Sequence, residues 1–187
     1  MAFDYPIVLD LAGVPVLVVG GGRVALRKIE GLVAACADVA VVATEVSEAI
    51  HALPVQVATR AWQPGDLDGV RLVVTATDDP AVNAAVSTEA RRRGIWVNSA
   101  DDPANCTFTL PAVARDGAVT VAVSTGGASP ALASHLRAEI GRWLSEIGAA
   151  AAATTLAGQR DELHDRGVST ESIDWSERVR AALHTPT

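Results

Sequence analysis

Val14-Pro15-Val16-Leu17-Val18-Val19-Gly20-Gly21-Gly22-Arg23-Val24-Ala25-Leu26-Arg27-Lys28 decides the fold. A β-branched, continuously apolar run stops at a cluster of glycines, and beyond them Val24, Ala25, Ile29, Leu32 and Val33 recur at helical spacing. This reads as strand, glycine turn, helix. Gly20-x-Gly22-x-x-Ala25 then stands where a dinucleotide fingerprint belongs. Glycine tolerates positive φ, a missing side chain lets the backbone approach a pyrophosphate, and the helix start offers free N–H groups to the phosphates. Glycine-rich turns are common, so context carries the assignment. Glu45 ends the second strand at about the spacing of a carboxylate that accepts from the ribose hydroxyls. A carboxylate there repels a 2′-phosphate and points to NAD, whereas Arg23 in the turn favours a phosphate. The alternative is a structural turn followed by an ordinary surface glutamate.

Outward from that stretch, strands are expected at Val39–Ala43, Val55–Thr59, Arg71–Ala76 and Ile95–Asn98, with a helix from Asp79-Pro80 to Arg93 closed by Gly94. Their continuous rather than alternating apolarity marks strands covered on both faces, hence a parallel sheet. Alternating strands and helices make this an α/β protein of the Rossmann-type, doubly wound class. The texture changes near residue 106. Cys106–Leu110 and Ala112–Arg115 look extended, Arg115-Asp116-Gly117 reads as a hairpin turn before Ala118–Val123, and Ser124 to Ala128 is a glycine-rich loop. Ser129 is a plausible N-cap for a helix from Pro130 to about Leu144. The Ala149–Ala153 run is strongly helix-forming, and Asp174–Leu183 has an amphipathic pattern.

Composition narrows the function classes. The 187 residues are 49% hydrophobic, enough for a real core, and the formal net charge is −7, which disfavours nucleic acid and anionic membrane as partners. No stretch approaches the roughly 20 apolar residues of a membrane span, and the N-terminus lacks a basic segment followed by a long apolar run. Cys36 and Cys106 form neither a CxxC pair nor a disulfide framework, so a reducing, cytoplasmic setting is expected. His51, His135, His164 and His184 show no metal-ligand spacing, and no protein metal site is expected.

The ends of the fourth and fifth strands carry the candidate chemistry. Thr75-Ala76-Thr77-Asp78-Asp79 lies at the carboxyl edge, where Thr77 and Asp78 could line a cofactor, while Asp78 or Asp79 equally suits a helix cap. Asn98-Ser99-Ala100-Asp101-Asp102-Pro103 leaves the same edge. Asp101 is the candidate to take a proton as a hydride departs, partial burial being expected to raise its pKa, whereas Asp102 before Pro103 is the natural turn residue. Cys106 is close to Asp101 in sequence, but a lone cysteine is usually a buried apolar residue. Arg91-Arg92-Arg93 offers positive charge to a substrate, though basic residues at a helix end more often complement its dipole.

Four ordered blocks carry a resemblance. Val18 to Lys28, Ala76-Thr77-Asp78-Asp79-Pro80-Ala81-Val82-Asn83, Val97 to Pro103, and Val121 to Ala133 with Ser124-Thr125-Gly126-Gly127 at its centre together resemble the precorrin-2 dehydrogenase and sirohydrochlorin ferrochelatase family, the N-terminal module of siroheme synthases. The resemblance spans residue 5 to about 145. It implies NAD-dependent oxidation of precorrin-2 to sirohydrochlorin and, in bifunctional members, a lyase step inserting ferrous iron to give siroheme. The family's essential aspartate falls on Asp101. Its dinucleotide contacts fall on Arg23 and Val24 and on Thr44 and Glu45, beside Gly20 and Gly22, and its loop hydroxyl falls on Ser124 or Thr125. With Gly126 and Asn98, that loop is the expected substrate-binding set, the helix start at Ser129-Pro130 being suited to a substrate carboxylate.

The resemblance also implies a homodimer, the region after the Rossmann domain exchanging between subunits and shaping the tetrapyrrole cleft. The expected division is residues 1–111 as the NAD-binding Rossmann domain, 112–145 as a small α+β dimerisation and substrate-cleft region, and 146–187 as a C-terminal helical segment. Lacking the methyltransferase domain of fused synthases, the chain is expected to take precorrin-2 rather than make it. The competing readings are a non-catalytic NAD-binding sensor or regulatory module and an oxidoreductase for another substrate. The last is disfavoured because Tyr5 is the sole tyrosine and no Tyr-x-x-x-Lys pair exists.

Overall fold

The apolar run before the glycines forms β1 (Pro15–Val19) in a computed structural model that describes residues 5–171 and 173–183. Val16 to Val19 are each no more than 2% exposed. The cause is position: β1 pairs in parallel with β2 (Asp38–Ala43) on one side and β4 (Leu72–Thr75) on the other. β3 (Gln56–Thr59) and β5 (Trp96–Ser99) complete a parallel sheet of order β3-β2-β1-β4-β5. Both faces are covered, as the unbroken apolarity required. Val16 and Val18 pack on Ala25 and Ile29 of α1 (Arg23–Ala34), whereas Leu17 and Val19 pack with Val86 and Ala90 of α3 (Pro80–Arg92) on the opposite face. The chain therefore leaves β1 in one direction and returns on its far side at β4, the topological switch at which such sheets open a crevice.

The glycine turn seats the strand ends against each other. Gly20 has φ +131, and a Cβ there would lie 2.3 Å from the Ala76 carbonyl oxygen, at the end of β4. A Cβ on Gly21 would lie 2.0 Å from the Glu45 carbonyl oxygen, after β2, and Ser47 N–H donates to Gly21 O at 3.0 Å. Two adjacent residues without side chains thus let three strand ends converge. Gly21 lies outside the expected G-x-G positions, yet it is the one the packing most tightly requires.

A one-turn helix, α2 (Glu48–His51), follows β2; it was not expected, because four residues are too few to display a helical period. Cys106–Leu110, expected to be extended, forms no strand. Instead Pro103–Asn105 is a 3₁₀ turn, and Thr107 satisfies the edge of β5 by accepting from Val97 N–H through Oγ1 (2.8 Å) and donating its own N–H to Val97 O (2.8 Å). A single threonine thereby blunts a sheet edge that would otherwise offer an open ladder. At the end of α3, Arg92 and then Arg93 hold the Glu89 carboxyl down to about 2, Arg93 also pairs with Asp68, and Arg91 donates to Ala104 O and Cys106 O. The arginine run is thus engaged in structural contacts.

The chain divides into two compact units, one up to Leu110 and one from Pro111 onward. In the second, β6 (Ala112–Asp116) and β7 (Val119–Val123) form an antiparallel hairpin that packs on α4 (Pro130–Glu146), and Ala114, Leu144 and Ala149 form its small core. Ser129 caps α4 by accepting from Leu132 N–H. Gly148, at φ +66, breaks α4 from α5 (Ala149–Asp165), and Asp116 of the hairpin accepts from Ala150 N–H at the start of α5. The C-terminal amphipathic segment forms α6 (Ser176–Leu183). Among the described residues, no helix is long and apolar enough to cross a membrane.

Gly21→Ala should lower folding stability by about 1–3 kcal/mol, because the clash is with backbone that cannot rotate away. Urea denaturation should show a lower midpoint at an unchanged slope.

Candidate functional site

At the carboxyl edge of the sheet, the ends of β1, β2, β3, β4 and β5 enclose a crevice of about 940 Å³. Gly20, Gly22, Arg23 and Val24 line it from the glycine turn, Thr44 and Glu45 from the end of β2, Thr77 and Asp78 from the end of β4, and Asp101 from beyond β5. Residues from four separate stretches of sequence therefore meet in one space. Its volume suits a dinucleotide-sized molecule.

The glycine turn is built for an anion. α1 starts at Gly22 with no side-chain cap and no acidic residue in its first turn, so its leading N–H groups are not neutralised by a side chain. A Cβ on Gly22 would meet nothing within 4 Å, so the chain's own packing does not demand glycine there. That open space is the one a pyrophosphate would use. Around it, Glu45 and Arg23 are both exposed, and Arg60 is drawn into a bidentate pair with Asp66 (2.8 and 2.5 Å) that holds the Asp66 carboxyl below its usual range. Trp62 and Ser47 also line the crevice, and their Nε1 and Oγ atoms are buried without a partner among the described residues. No feature of the sequence pattern singled out either one.

Asp101 owes its placement to the turn that follows β5. Ala100 N–H donates to Thr75 O (2.8 Å), and Asp101 itself adopts φ +57, a left-handed conformation that aspartate tolerates better than most residues. Cys106 closes the turn from within. Its Sγ accepts from Ser99 N–H at 3.1 Å and lies 3.2 Å from Ser99 O and 3.3 Å from Asp102 O. Burial pushes the thiol above its ordinary range, so it keeps its proton and can donate to one of those carbonyls. Asp102 is the turn residue, its carboxylate accepting from Asn105 Nδ2 at 2.6 Å. The sequence reading of Cys106 as merely apolar missed this, since a single cysteine has no partner spacing to reveal it.

Two expectations are corrected. Asp101 is exposed, not partly buried. Asn98 does not line the crevice. It is 5% exposed on the α1 face of the sheet, where it accepts from Lys28 Nζ (3.0 Å) and donates to Phe108 O (3.1 Å), because alternation along β5 turns it inward. Thr75 is likewise buried, bonded to Ser99 Oγ at 2.9 Å. Thr77 lines the crevice with its hydroxyl already engaged by Asn83 Oδ1 and Asp79 O, and Asp79, not Asp78, caps α3.

Ser124, Thr125 and Gly126 belong to the second unit. Ser124 Oγ accepts from Gly126 N–H, and Thr125 Oγ1 bridges Ser129 N–H and O, which pre-forms the loop ahead of α4. His51, His135 and His164 are exposed on α2, α4 and α5, while His184 lies outside the described residues. Among the described residues, no three His, Cys, Asp or Glu side chains gather to hold a metal.

The family model described as "Putative NAD(P)-binding" matches residues 7–112, and the one described as "Sirohaem biosynthesis protein central" matches residues 116–142. A siroheme synthase of Methylococcus capsulatus is 49% identical over 142 residues, covering 73% of this chain and 30% of that protein. Siroheme synthase 1 of Pectobacterium atrosepticum is 37% identical over 185 residues, 96% of this chain and 35% of that protein. The chain thus spans about a third of the length of these relatives. A solved structure described as SirC, precorrin-2 dehydrogenase, superposes with a TM-score of 0.73 at 29% identity, covering 95% of this chain and 86% of that one.

Gly22→Ala should leave thermal stability within ~0.5 kcal/mol of the parent. Calorimetric titration should show its dinucleotide affinity weakened about tenfold or more, because the new methyl occupies the space in front of the α1 N–H groups.

Proposed function

The chain belongs to the NAD(P)-binding family of sirohaem biosynthesis, and from that premise we propose that it oxidises precorrin-2 to sirohydrochlorin with NAD. The observation that carries the reading is the convergence of the uncapped α1 start and Asp101 on one crevice. The glycine turn holds the pyrophosphate, and Thr44 and Glu45 receive the adenosine ribose. Glu45 makes NAD the preferred form by repelling a 2′-phosphate. When bound, NAD supplies the acceptor for the hydride that leaves the tetrapyrrole. Asp101 takes the accompanying proton, so that precorrin-2 and NAD+ yield sirohydrochlorin, NADH and a proton. The exposure of Asp101 in the single chain leaves it accessible to a large substrate.

The substrate's many carboxylates suit the loop of Ser124, Thr125 and Gly126 ahead of the α4 start. Insertion of ferrous iron is proposed as a second activity, with iron a substrate captured by the tetrapyrrole's own pyrrole nitrogens. A cytoplasmic homodimer is the proposed working form, supported by the family's plan. Residues 1–111, 112–145 and 146–187 are the proposed functional divisions.

Anaerobic mixing of the protein with NAD and precorrin-2 should produce NADH and the sirohydrochlorin spectrum, and ferrous iron added afterwards should be inserted faster than without protein. Asp101→Asn should bind NAD normally and oxidise precorrin-2 at least about 100-fold more slowly. An unaltered rate in that variant would remove Asp101 from the chemistry, whereas NAD binding with no NADH formed by the parent protein would favour the non-catalytic sensor reading. In parallel titrations NAD should bind about tenfold or more tighter than NADP, and Glu45→Ser should narrow that gap.

A further inference from the structure

Arg91 and Cys106 do not line the crevice, yet both end on the backbone that carries Asp101. Among the described residues, no hydrogen bond or ion pair holds the Asp101 carboxylate, so its place is set by the turn alone. That turn runs from Ser99 to Asp102, whose N–H donates back to Ser99 O at 3.3 Å, with Asp101 at φ +57. A left-handed aspartate costs free energy and persists only where its surroundings hold it. β5 is the last strand of its sheet, so the outward N–H and C=O groups of Ser99 have no strand to pair with. Cys106 serves them instead. Its Sγ accepts from Ser99 N–H at 3.1 Å and stands 3.2 Å from Ser99 O and 3.3 Å from Asp102 O, at both ends of the turn. The thiol is 4% exposed and is approached from β5 by Asn98 Nδ2 at 3.7 Å. Arg91 acts one step further out, from α3. Where Arg92 and Arg93 pair with carboxylates, its Nη2 donates to two carbonyl oxygens of the segment after the turn, Ala104 O at 2.7 Å and Cys106 O at 3.1 Å. The guanidinium thus holds the main chain of Cys106, and the side chain of Cys106 holds Ser99 and Asp102.

We propose that Arg91 and Cys106 are positioning residues for Asp101: the guanidinium seats the main chain of Cys106 against α3, and the thiol grips both ends of the turn, so that the carboxylate is presented to the crevice from one fixed place. The catalytic consequence rests on the dehydrogenase reading, whereas the coupling itself rests on these contacts. Neither residue acts on the charge of Asp101; both act on where its backbone lies. Misplacing a reacting group by about 1 Å can slow a reaction by about two orders of magnitude. Such a loss falls on the chemical step and spares binding, because the glycine turn that receives the dinucleotide lies on β1 and α1, which neither residue touches.

Amide hydrogen exchange of the intact chain, followed by NMR, tests the coupling without substrate. Arg91 is exposed, so Arg91→Met leaves the core intact. It should nevertheless speed exchange of the Ser99 amide about tenfold or more, through Cys106, and leave the amides of β1 at the parent rate. A Ser99 amide that keeps the parent rate overturns the proposal whatever the protein's activity. In the anaerobic precorrin-2 assay, Arg91→Met and Cys106→Ala should each lower kcat about tenfold or more, with KM and NAD affinity little changed. Arg92→Met, at the same helix end, should keep the parent kcat. In chains that already carry Asp101→Asn, the first two substitutions should slow the remaining reaction by less than about twofold, because the group they position is gone. The full loss repeated in that background, a parent-like kcat in Arg91→Met, or a loss that tracks weaker NAD binding refutes the positioning role. No NADH from the parent protein would instead refute the dehydrogenase reading, with exchange at Ser99 still deciding the coupling.

Discussion

Two carbonyl oxygens govern this site. The Ala76 oxygen after β4 and the Glu45 oxygen after β2 press so closely on Gly20 and Gly21 that neither position has room for a methyl group. Those contacts draw the loops after β2 and β4 onto the end of β1. The crevice exists because backbone packs directly on backbone, with no side chains to spread the strand ends apart. Gly22, the next residue, is free of any such neighbour and faces open space. Within a single tripeptide, two glycines serve the fold and the third is left free of it.

From that junction the chemistry is distributed by strand alternation. Inward-facing positions on the two faces of the sheet are taken by Val, Leu and Ala, and by the few polar groups that find partners: Thr75 with Ser99, and Asn98 with Lys28. Asp101, the carboxylate proposed to accept the proton, is kept off the sheet, on a left-handed turn one step beyond β5. A turn held from inside by a thiol and from the sheet by Ala100 N–H presents Asp101 without burying it. In the proposed reaction, a carboxylate presented on a rigid turn suits a large, many-charged substrate better than one sunk in a pocket.

The sequence alone determined the parallel, doubly wound sheet, because continuous apolar runs between helical periods have few other solutions. It also placed the dinucleotide turn and the aspartate after β5, since these are local features: a glycine cluster after a strand and a carboxylate at a strand end. Ser129 as the cap of α4 was legible for the same reason. What the sequence could not show were relations across distance. Gly21 matters because of Glu45, Cys106 because of Ser99, and Lys28 because of Asn98, 70 residues away. Asn98 itself reads as a site residue by its neighbours in sequence and is a buried connector by its neighbours in space. Local pattern records which conformation a segment prefers, whereas the partners of a buried polar group are chosen only when the strands align and water is expelled.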